Sequence, residues 1–269
     1  MPHRPTDSPA PPDLSWAPFP HTDRYPFTPQ EVAAHWHLLH AGDAEPLPQD
    51  PAVLQAWALF HSGHFAGAEQ AGLAAGGAGL TVANKAAIIH AHYLEPSEAA
   101  RLARLSMAAE RAARQAEDDP GNANAWFWHA YALGRYSQGI SVAKALAQGL
   151  GMAVRDTLQR VIDLSPRHAD ARLALGAFHA EVIDKVGDLV GQMTFGAHRA
   201  QGLRYFQEAL ELHPATVIGK IEYANALLML GGDAHMPEAT RLYEAAARAK
   251  PIDALEHLAV ALAQQELEG

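Results

Sequence analysis

Cysteine is missing altogether from the 269 residues. That absence removes disulfides, thiolate nucleophiles and cysteine-type zinc sites together. Long apolar runs are missing too: no stretch of about 18 apolar residues occurs, so no segment reads as a membrane-spanning helix. Positive charge is scarce, with 20 Lys and Arg against 30 Asp and Glu, a formal net charge of −10. No Lys/Arg block appears. A chain of this kind lacks the basic face that nucleic acid requires, and an anionic lipid surface would repel it. The first residues, "MPHRPTDSPAPPDLSW", have no apolar core of a signal peptide, and the expected location is the cytoplasm. Aromatic residues are few, at 7%.

What is present is alanine, proline punctuation and helical periodicity. Alanine has the best helix propensity and lets helix backbones approach, which favours packed helices over sheets. Twelve of the 18 prolines lie at or before Pro51. Residues 1–27 read as a proline-rich, disordered lead. Order is expected from Thr28, where "TPQE" combines an N-cap threonine, Pro29 at the first helical position and Glu31 in a capping box. Further on, Pro120, Pro166, Pro214 and Pro251 each follow an amphipathic helix. Helix–turn–helix units of about this spacing build solenoids. The expected fold is all-α, with units at about 50–80, 81–120, 121–166, 167–214 and 215–251, and a capping helix at 252–268.

The ending "YFQEALELHP" resembles the second helix of a tetratricopeptide repeat (TPR). The resemblance implies a right-handed superhelix of helix pairs, each with a first helix A and a second helix B. Anchored on the prolines, the small residue at the A–B contact recurs as Ala130, Gly176 and Ala224. In this register Trp126, His129 and Leu133 pack into the solenoid, whereas Phe127 and Tyr131 fall on the concave groove. Arg172 and Lys220 stand where the family usually has an aromatic, so the repeats are degenerate.

Two units exceed the 34-residue repeat, and both excesses lie between helices A and B. They are "RYSQGISVAKALAQGLG" (135–151) and "EVIDKVGDLVGQMTFGAHRA" (181–200). Such insertions emerge from one rim and could wall the groove. With them, residues 120–260 are similar to the TPR domain of the regulator of microtubule dynamics family and to bacterial TPR proteins associated with TRAP-type transport. The matching positions are Tyr136, Gly139, Ile140, Lys144, Tyr205, Phe206 and Pro214. Those resemblances imply a hydrophobic groove for a lipid or solute. The candidate ligand-binding residues are Phe127, Tyr131, Arg135, Tyr136, Lys144, Leu173, Ala177, Glu181, Ile221, Asn225 and Leu228.

Catalytic patterns are weak. Sixteen histidines include His37 with His40 and His61 with His64 at i, i+3, but no HExxH or completed ligand set occurs, so no metal or other cofactor is expected. "GLAAGGAGL" (72–80) follows a helix rather than a strand and has no GK[ST], which makes it a turn between repeats and not a phosphate cradle. Glu181 and Asp184 read better as a solvated helix end than as an acid–base pair. The expected function is a non-enzymatic binding protein holding a hydrophobic small molecule, lipid chain or apolar peptide, without nucleic acid or a transmembrane segment. The alternative is a protein-interaction adaptor with no small ligand.

Overall fold

A computed structural model describes residues 12–268, which form helices and connecting turns, with no strand among them. Two short helices, α1 (Pro29–Ala34) and α2 (Trp36–Leu39), precede the first helix pair. The capping box at the start of α1 is formed: Thr28 accepts from the Glu31 amide, and Glu31 reaches back to the Thr28 amide. Five pairs follow: α3 (Pro51–His61) with α4 (Phe65–Ala75), α5 (Gly79–Tyr93) with α6 (Glu98–Asp118), α7 (Ala123–Gln138) with α9 (Leu150–Leu164), α10 (Ala169–Val186) with α12 (Arg199–Leu212), and α13 (Val217–Gly231) with α14 (Met236–Ala247). Side chains of Asp50, Ser97, Asn122, His168 and Thr216 accept from backbone amides at the starts of α3, α6, α7, α10 and α13. The chain turns from α4 to α5 through Gly76 and Gly77, both with positive φ.

Within a pair, a small residue sets the helix spacing. A Cβ on Gly176 of α10 would lie 2.6 Å from the Phe206 ring of α12. The two insertions hold short elements of their own, α8 (Val142–Ala147) in the first and α11 (Asp188–Val190) with a π turn (Gly191–Phe195) in the second.

The last helix, α15 (Ala254–Glu268), packs on α13 and α14 and also reaches α3. The ends of the array therefore touch. Ala254, Leu255 and Leu258 join the cluster around Trp57, Phe60 and Phe65. His61 Nδ1 lies 2.7 Å from Asp253 Oδ2, and the Tyr25 hydroxyl lies 2.8 Å from His257 Nδ1. One helix thus covers the open apolar faces that both termini of a solenoid would expose.

The expectation of a disordered lead fails over residues 12–27; residues 1–11 lie outside the described residues. Phe19 is buried against Phe65 and above Gly63 (φ +84°), where any Cβ would collide with the ring. The Arg104 guanidinium stacks on Trp16 and donates to the carbonyls of Leu14 and Ser15. Proline content argued for disorder, but Trp16, Phe19 and Tyr25 bring enough apolar area to offset the ordering entropy.

Candidate functional site: a cavity inside the ring

The A helices α5, α7, α10 and α13 turn one face inward, and α15 closes the circle. Between them lies a cavity of about 270 Å³ that is partly open to solvent. Its longest wall is α10. Asp170, Leu173, Ala174, Ala177, Phe178, Glu181, Val182, Lys185 and Val186 recur at helical spacing along one stripe. The stripe runs from Asp170 to Val186, roughly 24 Å of helix. At the far end the insertions contribute Val142, Leu146 and Phe195.

At the near end the chain fills part of the concave face itself. The segment from Trp36 to Glu45 lies against the inner helices. The Asp170 amide donates to the Gly42 carbonyl (3.0 Å), Lys85 Nζ donates to Asp43 Oδ2 (2.6 Å), and Asn124 Nδ2 donates to the Asp43 carbonyl and to Glu45 Oε2. The Trp36 indole donates to the Glu45 carbonyl, and Trp36 stacks on His40. His168 accepts from the Ala171 amide through Nδ1, so its Nε2 carries the hydrogen and donates to Asn124 Oδ1 (3.1 Å). Gly42 lets the Asp170 carboxylate pack directly on the backbone; a Cβ there would push that carboxylate aside.

The charges of this cluster follow from enclosure and pairing. Burial works against the Asp43 charge, yet Lys85 and His40 outweigh it and hold the carboxyl well below the ordinary range. Burial likewise opposes the Lys85 ammonium, and Asp43 more than restores it. The ammonium also lies over the rings of Trp57, Phe60 and Trp128. Glu45 is pushed up to about 8 by burial and by the Asp43 charge. Asp170 is raised to about 7 by the same two causes, in the same order. Burial holds His40 and His168 down to about 4, so both stay neutral near pH 7.

Of the expected site residues, Phe127, Tyr131, Arg135, Leu173, Ala177 and Glu181 share this cavity wall. Phe127 is also fully buried, packed on His168, Trp128 and Tyr131, so it carries core packing as well as cavity surface. Its neighbour Trp126, expected inside the solenoid, is only half-buried. Its indole donates to the Pro120 carbonyl, and Arg160 lies over its ring. Arg135 bridges Tyr131 and Glu222. Glu181, expected at a solvated helix end, faces the cavity beside Gln138, and burial raises its pKa.

The other five lie elsewhere. Lys144 is exposed above the Tyr136 ring, and neither lines the cavity. Ile221 and Asn225 border an adjoining hollow, and Asn225 accepts from the Tyr243 hydroxyl. Leu228 packs among Val217, Ala224 and Tyr243.

Sequence reasoning missed Leu38, Leu39, Asp43 and Lys85 on the near side and Asp253, Leu255 and Glu256 from the closing helix. All come from outside the repeats whose register could be anchored. Among the described residues no three His, Asp or Glu side chains are grouped to hold a metal ion, and no helix is long and apolar enough to cross a membrane.

Helix pairs stacked through small A–B contacts, with the A helices lining the concave side, define a TPR-like helical-repeat fold. Among solved structures the chain is similar to a thermophilic TPR protein of Thermus thermophilus. The TM-score is 0.57 at 16% identity, over 80% of this chain and 97% of that one, a likeness of fold. No protein-family model matches the sequence, and no curated protein matches it significantly.

Proposed function

We propose that the protein is a non-enzymatic binding protein that encloses an apolar small molecule or lipid chain within its ring. The observation that carries this reading is the closure of the concave face. In an open TPR-like array that face is free to receive an extended peptide. Here α15 shuts the circle, and the segment around Gly42 and Asp43 occupies the near end. The remaining space suits a compact ligand. At about 270 Å³ it falls just below the range of about 300–1,000 Å³ usual for small-molecule sites, and its walls are mainly apolar with a few polar groups.

Native mass spectrometry of the purified protein, paired with solvent extraction, tests the reading. A bound mass of one small molecule per chain is expected. Ala177→Phe, which places a ring in the middle of the cavity wall, should lose that mass and stay folded. A chain that carries no extractable molecule and takes up no solvatochromic apolar dye would refute the proposal. The protein-interaction role would then be the better account of the fold.

A further inference from the structure

The near end of the cavity holds four carboxylates, Asp43, Asp170, Asp253 and Glu256, against one ammonium, Lys85. Three of the four are satisfied by protein groups. Asp43 takes Lys85 and His40, Asp253 takes His61, and Glu256 accepts from the Ile252 amide. The Asp170 carboxylate has no hydrogen-bond or ion-pair partner among the described residues. It lines the cavity, and its oxygens are not among the buried polar atoms sealed from it. Carboxylates enclosed by protein are ordinarily paired. An aspartate in the first turn of a helix complements the helix dipole without needing enclosure, so the dipole does not explain this placement.

From this geometry we infer that the cavity recognises a cationic amphiphile, with a ligand ammonium on Asp170 and the alkyl tail laid along α10 toward the insertions. The inference rests on the binding reading above and names its ligand class. Three further features agree with it. The single Lys85 charge is already taken by Asp43, so no free cation waits there for an anionic head group. The other cation of the inner wall, Arg135, is likewise taken, by Glu222 and over the Tyr131 ring. From Asp170 the α10 stripe leads to Phe178, Val182 and Val186, beside the Glu181–Lys185 pair (3.8 Å), and Val142, Leu146 and Phe195 from the insertions add apolar surface there.

The test uses the full chain and three ligands of one length, decylamine, 1-decanol and decanoate, titrated calorimetrically at neutral pH. Decylamine is expected to bind at least tenfold more tightly than 1-decanol, with decanoate weakest. In Asp170→Asn the amine should fall to the level of the alcohol, while the alcohol stays within about twofold of its wild-type affinity. The wild-type series needs no variant, so a folding defect in Asp170→Asn would leave the comparison intact. If 1-decanol or decanoate matches decylamine on the wild-type protein, the ammonium inference is overturned and the binding reading stands. If none of the three binds, both fall.

Discussion

Glu45 is a carboxyl group enclosed beside another carboxylate, and its protonation is tied to folding. Burial and the Asp43 charge raise it to about 8 from an ordinary 4.5. Between those values the folded chain binds more protons than the unfolded one, so this side chain makes stability fall as pH rises through that window. Glu45→Gln keeps an oxygen for the Asn124 amide and removes the titration. The variant should match the wild type near pH 5 and gain about 1–4 kcal/mol over it by pH 8, as read from urea melts at the two pH values. Parallel stability curves for the two proteins would show that Glu45 does not titrate with folding. The same scale shows what the sequence can and cannot announce. Phe127, Tyr131 and Arg135 recur at i, i+4 and i+8, and a helical register is enough to put them on one face. Asp43 and Lys85 meet across 42 residues of chain, and no local pattern records that pairing. Phe127 and Trp126 show a further limit. Periodicity assigns a face, but how deeply that face is covered depends on what the fold packs against it, here His168 on Phe127 and Arg160 over Trp126.

At the scale of elements, helices anchored by a cap and a proline were legible, because both signals act within a few residues. The lead was not. Its prolines disfavour helix and strand, and that is a different matter from failing to pack. Residues 12–27, with a single 3-10 turn at Thr22–Arg24, lie over α4, α5, α6 and α15, held by Phe19, Trp16, Tyr25 and the Arg104 hydrogen bonds. Removing everything before Thr28 would uncover Phe65 and His90 and leave the buried Arg104 without its carbonyl partners. The truncated protein is therefore expected to lose roughly 3–5 kcal/mol, the cost of deleting a large buried aromatic, and Phe19→Ala should account for most of it. Thermal melts of the two proteins check this. An unchanged midpoint in both would show that the lead contributes nothing to the core.

Whole-molecule behaviour turns on the contact between α15 and α3. An open helical array is close to one-dimensional, with each pair held only by its neighbours and the end pairs fraying first. Here the end pairs are neighbours too, joined by apolar packing and by the buried His61–Asp253 pair. Asp253→Ala should remove the partner of an enclosed imidazole and cost roughly 3 kcal/mol at that contact. Hydrogen exchange is the decisive readout. Protection should drop together in α3 and α15, far apart in the chain, while α7 and α10 keep theirs. Loss confined to α15 would mean that the two ends are not energetically joined.

That contact also separates two orders which a linear repeat array keeps identical. Around the circle the helices have sequential neighbours but no first member. Were residues beyond α15 tied by a linker to those before α1, and the chain opened instead at the exposed turn around Pro120 and Gly121, every helix would keep its present neighbours. Translation would begin halfway round and arrive at the same object. The position of α1 in the polypeptide is then a matter of synthesis, and the architecture itself is indifferent to it.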